Sequence, residues 1–230
     1  MTDSVPRITR RQWFGLRPLE TILILTSAAY ILAASYLALW PISVVEAWGF
    51  ATGIVCVWLV VREHLLNWPI GLANNFFFFA LFFHSRLYAD MGLQVVYFVL
   101  GVYGWWNWMK GGKGRTRVEI TRTTRIEWIV LLAAIPFCTW LLREILLVAN
   151  GAAPFWDSFT TILCLAAQYL LCRKRVENWF FWIAADVIYV PLYFSRELPL
   201  TALLYAIFLA LCLIGVRAWT ATLKTDKGPA

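Results

Sequence analysis

EAWGFATGIVCVWLVVREHLLNW (46–68) returns in the second half of the chain as DSFTTILCLAAQYLLCRKRVENW (157–179). Glu46 aligns with Asp157, Arg62 with Arg173, and the pair Asn67-Trp68 with Asn178-Trp179. The register carries further. FFHSR (82–86) echoes YFSR (193–196) after a one-residue gap, Gly104 matches Gly215, and Trp108 matches Trp219. A single offset shared by three apolar segments marks an internal repeat, and so a chain built from two like units.

The 230 residues are 61% hydrophobic and 14% charged, with a mean hydropathy of +0.69. Soluble domains carry about 45–50% apolar and about 25% charged residues, so the composition is that of an all-α integral membrane protein. Scanning for spans of roughly 17–25 apolar residues yields eight helices, over 19–39, 47–62, 67–84, 91–109, 126–147, 157–172, 178–195 and 200–220. Pro41, Pro154 and Pro199 fall between segments, Pro69 suits a first helical turn, and Pro136 and Pro191 fall inside helices that membrane packing tolerates. The N-terminus, MTDSVPRITRRQWFGLRPLE, is polar and basic rather than a secretory signal. Cys56, Cys138, Cys164, Cys172 and Cys212 sit in or at the ends of apolar segments without metal spacing, and read as small core residues.

Placing both termini in the cytoplasm puts 17 lysines and arginines inside. Only Arg86, Arg143 and Arg196 then lie outside, which accounts for all 20. Such an asymmetry orients the chain by the positive-inside rule and makes the basic loop 110–125 a topology signal before anything else. Each repeat then starts outside and ends inside. The repeats are parallel, related by a pseudo-two-fold axis along the membrane normal, and helix five is the crossover. Substrates of such proteins sit near mid-depth where the repeats meet.

Within VENWFFWIAADVIYVPLYFS (176–195), Asn178, Trp182, Asp186, Tyr189 and Tyr193 follow at helical spacing and form one stripe. A carboxylate in hydrocarbon costs roughly 2.5 kcal/mol or more, so Asp186 should face a cavity or a partner. Asn75 occupies the equivalent position in the first repeat. Gln94, Gln168 and Asn107 are further polar candidates, each equally suited to a helix–helix hydrogen bond. Asn178 suits a helix start as well as a ligand. At least one ring of Phe76-Phe77-Phe78-Phe79 should face inward beside Asn75.

NWPIGLANNFFFFALFFHSRLYADMGLQVVYFVLGVYGWWNW (67–108) resembles the signature of the PnuC family of nicotinamide riboside transporters, and 177–219 resembles the second half of that signature. The family is a relative of the SWEET sugar transporters. The resemblance implies a 3+1+3 core preceded by one N-terminal helix. The chain then divides into a cytoplasmic segment (1–18), an extra helix (19–39), a first three-helix bundle (40–109), a basic loop with the linker helix (110–156), a second bundle (157–220) and a cytoplasmic tail (221–230). It further implies a multi-pass protein of the bacterial inner membrane. Such a protein imports nicotinamide riboside by facilitated diffusion with alternating access, driven by phosphorylation inside the cell, without a cofactor, and as a homo-oligomer such as a trimer.

On that reading Trp182 stacks on the pyridinium ring and Asp186 meets its charge or the ribose hydroxyls. Asn75, Gln94 and Asn178 are amides suited to a carboxamide, Gln168 and Asn107 are further candidates with Asn107 roughly opposite Gln94 around its helix, and Tyr189 and Tyr193 extend the stripe. The rival from another class is an intramembrane enzyme. Asp186 is the only acid near mid-depth and both histidines, His64 and His84, are remote from it, so no nucleophile with a base is in reach. A carrier of another vitamin or of a sugar is the nearer alternative, although a neutral sugar has no use for a tryptophan–aspartate pair.

Overall fold

The computed structural model describes residues 18–225 apart from 85–87, 113, 115–116, 150–152 and 196–198. Among these residues the chain forms eight helices. They are α1 (Pro18–Tyr36), α2 (Val44–Val61), α3 (Asn67–His84), α4 (Tyr88–Lys110), α5 (Arg125–Val148), α6 (Pro154–Cys172), α7 (Asn178–Ser195) and α8 (Pro199–Thr225). The expected limits of α3 and α7 agree end for end. Elsewhere apolarity misjudges the ends. α8 runs on through Arg217 and Lys224 because a helix outlasts its apolar part. Pro154 and Pro199, expected between helices, are instead first helical residues, where a proline has no needed N–H to lose. The basic residues of 1–17, with Arg86, Lys113, Arg115, Arg196 and Lys227, lie outside the described residues.

Five helices, α1, α2, α5, α6 and α8, are long and apolar enough to cross a membrane. The others, α3, α4 and α7, match them in length but carry the amides and the acid: Asn74, Asn75, Gln94, Asn107, Asn178 and Asp186. Their polar residues lower the signal. Two helix starts are written into the sequence as capping boxes, Ser43 with Glu46 and Thr124 with Glu127.

The repeat is visible atom by atom. α2 and α6 end alike, with His64 N donating to Leu59 O and Arg175 N to Leu170 O, each at 2.9 Å. Glu63 N and Lys174 N donate to Val60 O and Leu171 O. Both turns are therefore Schellman caps, and the left-handed residue is Glu63 in one and Lys174 in the other, each at φ 55°. Asn67 Nδ2 donates to His64 O, and its counterpart Asn178 Nδ2 donates to Arg175 O. Trp68 lies on Gly104 and Trp179 on Gly215. A Cβ on either glycine would come within 2.1 Å or 2.6 Å of the facing ring, so only glycine permits the contact.

α3 packs against α2 and α4, and α7 against α6 and α8. α1 leans on α2 and α5 on α6. The two bundles meet by exchange, α2 against α8 and α4 against α6. Two indoles cross the interface in opposite senses. Trp108 Nε1 donates to Leu171 O at 2.9 Å and Trp219 Nε1 donates to Val60 O at 3.2 Å. The two donors are counterparts in the repeat, and so are the two acceptors, as a two-fold axis requires. Around them Val60, Val61, Trp68, Ile120, Leu171, Cys172, Val176, Trp179 and Cys212 are buried in one core.

Candidate functional site

Helix α7 turns its stripe toward α6 and α8. Asp186 is 3% exposed, and its Oδ2 accepts from Cys212 Sγ of α8 at 3.7 Å. A thiol is a weak donor, so the carboxylate keeps most of its accepting capacity. Trp182, one turn back, is half-buried between the tryptophan core and the cluster around Leu163, Cys164 and Ala185. One turn on, Tyr189 Oη lies 3.9 Å from Cys164 Sγ of α6. Tyr189, Tyr193 and Tyr205 of α8 form a compact ring cluster, with Tyr189–Tyr205 centroids 4.6 Å apart. Tyr193 and Tyr205 lie parallel within 6° at 5.1 Å. Phe208 meets Tyr205 edge-on at 5.8 Å. Its ring tip lies 3.1 Å from where a Cβ on Gly53 would stand, so that glycine lets α8 reach α2. Tyr97 of α4 closes the same cluster beside Cys164.

The first repeat has its own polar and aromatic residues at the matching positions of α3. Asn75, the counterpart of Asp186, is half-buried on α3. Its neighbour Asn74 is the amide held by α2, donating to Gly49 O at 2.7 Å and Thr52 Oγ1 at 3.0 Å. The phenylalanine run resolves clearly. Phe76 is exposed, Phe77 stacks on Trp48, and Phe78 packs onto Gly49 as the counterpart of Tyr189. Gln94 and Gln168 are half-buried on α4 and α6.

Two of the nine expected residues hydrogen-bond to backbone carbonyls near helix ends. Asn178 is wholly buried at the start of α7, tied to Arg175 O. Asn107 Nδ2 spans the bundles to Cys172 O at 2.9 Å. Both sit at the end of the molecule that holds the two Schellman turns, about two turns from Asp186 along an α-helix. Two open clefts lie apart from the stripe. One of about 490 Å³ is lined by Ile135, Thr139, Arg143 and Phe159 between α5 and α6, and one of about 580 Å³ by Ile24, Tyr30, Ile54 and Ile207.

A buried acid thus lies at the α7–α8 contact, one turn from an indole and beside several phenols. The family described as nicotinamide mononucleotide transporter matches residues 43–221. The chain belongs to that family. The match takes in both repeats and α5 and begins after α1. Similar proteins include the nicotinamide riboside transporter PnuC of Escherichia coli (strain K12), 28% identical over 211 residues that cover 78% of this chain and 86% of the relative. The riboflavin/roseoflavin transporter RibM of Streptomyces davaonensis is 26% identical over 185 residues, covering 79% and 86%. A crystal structure of the vitamin B3 transporter PnuC superposes with a TM-score of 0.71 at 24% identity, over 92% of this chain and 94% of that one, and shows the fold to be shared.

In this nicotinamide mononucleotide transporter family member, Tyr97 and Tyr205, which periodicity did not mark, stand beside the α7 stripe, and of the phenylalanine run Phe78 is the ring that packs onto Gly49. The repeat itself held the missing signal. In its register Tyr205 is the counterpart of Gln94, and Phe78 is the counterpart of Tyr189.

Proposed function

We propose that this protein carries nicotinamide riboside across a bacterial inner membrane by alternating access, with both termini in the cytoplasm. Asp186 supports the reading most directly: a carboxylate buried at the middle of α7, one turn from Trp182, whose hydrogen-bond partner is a thiol. Such a carboxylate suits a ligand that brings a positive charge and vicinal hydroxyls. Trp182 provides a face for the pyridinium, an attraction of roughly 0.5–2 kcal/mol depending on desolvation. Asn75 and Gln94 face from the first repeat as carboxamide partners, and Tyr189 and Tyr193 shape the far side. Gln168, Asn107 and Asn178 frame that pocket. Movement follows the riboside gradient, maintained by phosphorylation inside the cell and coupled to no ion. The chain acts as a homo-oligomer, as a trimer in this reading.

The similarity to a flavin carrier favours one alternative, a different flat vitamin on the same scaffold. Titration with nicotinamide riboside, nicotinamide, the phosphorylated riboside and riboflavin separates the two. Saturable heat with the riboside and none with riboflavin supports the proposal; the reverse pattern defeats it.

A further inference from the structure

Glycine is the usual left-handed residue of a Schellman turn because a Cβ is unfavourable there. Here both turns place a long charged side chain at that position, Glu63 after α2 and Lys174 after α6, each at φ 55°. The two positions share the register of the repeat, so they are counterparts about the pseudo-two-fold axis. They carry opposite charges, and they meet: Lys174 Nζ lies 2.8 Å from Glu63 Oε2. Lys174 also sits 4.9 Å from the centre of the Trp108 ring. Directly beneath are the two reciprocal indole bonds, Trp108 to Leu171 O and Trp219 to Val60 O, whose acceptors belong to the same two turns. We propose that Glu63 and Lys174 form a latch that closes this end of the path between the bundles and opens when substrate passes. This inference rests on the transport reading above.

The two halves of the latch are not held alike. Lys174 is anchored: its Nζ donates to Val118 O, and its own carbonyl accepts from Thr121 N. The segment 118–123 lies across the second turn as a strap. Val176 N donates to Thr121 O, and Thr123 N and Oγ1 both donate to Glu177 Oε2. Glu127 at the start of α5 takes Arg173 and Arg175 as well. The first turn has no strap of this kind among the described residues. Glu63 reaches Lys174 and, at 3.4 Å, Thr222 Oγ1 of α8. The neighbouring Arg62 pairs with Glu20 of α1. The moving half is therefore the α2–α3 turn with α1, swinging Glu63 away from a lysine fixed to α5, α6 and α7. Lys174 is buried, so losing its carboxylate leaves a cation without its counter-charge, which strongly disfavours the closed form.

Cys172 reports the opening without reference to transport. It is fully buried in the tryptophan core at the end of α6. Purified protein is treated with a hydrophilic maleimide and modification at Cys172 is read by peptide mapping. Glu63→Gln should speed labelling by roughly threefold or more through the lost charge-assisted contact. Glu63→Lys should speed it further, and the exchanged pair Glu63→Lys with Lys174→Glu should return it toward the parent rate. Glu63→Gly removes the side chain while relieving the left-handed backbone, so faster labelling there cannot be laid to a strained turn. Equal rates in parent and Glu63→Gln, or an exchanged pair as fast as Glu63→Lys alone, overturn the latch. Binding of nicotinamide riboside is titrated on the same samples. A parent that fails to bind it strikes the substrate reading and leaves the labelling result standing.

Discussion

On the proposed reading, Asp186 and Trp182 divide the work of recognition between charge and shape. The carboxylate distinguishes a cation from a neutral ring, whereas the indole favours any flat ring. Asp186→Asn keeps the volume and one acceptor but removes the charge. Affinity for nicotinamide riboside should fall by about tenfold or more in calorimetry, a loss near ~1.4 kcal/mol, while that for uncharged nicotinamide changes little. Equal losses for both ligands would assign Asp186 a packing role. Trp182→Ala should weaken both ligands, the riboside by about tenfold, because stacking does not depend on the sugar. The residue-level stripe was legible because helical spacing is printed in the sequence. Tyr205 and Tyr97 escaped it, since which helix faces which is a property of packing and leaves no period in the chain. Asn107 and Asn178 escaped it in the other sense. An amide bound to a carbonyl at a helix end looks the same in sequence as an amide awaiting a ligand. His64, in the turn, illustrates a third case: burial and the nearby Arg117 push its imidazole below the usual range. Its Nδ1 accepts from Leu66 N at 3.2 Å.

Among the elements, the tryptophan–glycine contacts set how closely α3 meets α4 and α7 meets α8. Trp68 and Trp179 are almost wholly buried and have no room to withdraw. Gly104→Ala and Gly215→Ala should each cost about 1–3 kcal/mol through overpacking, seen as a lower midpoint in thermal unfolding followed by size-exclusion chromatography. Gly92→Ala is the control, because a Cβ there meets open space on the same helix as Gly104. It should leave the midpoint unchanged or raise it slightly, as alanine favours helix over glycine. A fall as large as that of Gly104→Ala would refute the packing argument. Helix number followed from apolar length, as did the limits of α3 and α7, but the ends of the other helices did not. Pro154 and Pro199 read as breaks on hydropathy alone, yet the same residues start helices by their fixed φ. The Schellman turns were invisible for a related reason. A charged residue at a left-handed position gives no sign of itself where glycine would have.

At the scale of the whole molecule, one constant offset between the halves accounts for the paired turns, the paired glycines and the crossed indole bonds. A parallel repeat with exchanged first and last helices gives two bundles that can rock about a shared axis. The departures from symmetry fall on the proposed site and latch. Asp186 is the counterpart of Asn75 and Tyr189 of Phe78, and among the described residues only the second turn wears a strap. Asp186 has Cys212 Sγ at 3.7 Å, and among the described residues no group of three or more histidine, cysteine or acidic side chains is placed to hold a metal. On the uncoupled reading proposed above, cargo alone supplies the difference in free energy between the two orientations, because a ligand shifts an equilibrium only by its differential affinity. Proteoliposomes loaded with buffer should take up labelled nicotinamide riboside until the concentrations inside and outside are equal, and no further. Imposing a proton or sodium gradient should leave both the rate and that end point unchanged. Enclosing a riboside kinase with ATP should carry uptake beyond equality by converting the arriving riboside to its phosphate. Accumulation above equality in empty vesicles, produced by either ion gradient, would show that a coupling site exists and that passive movement is the wrong description.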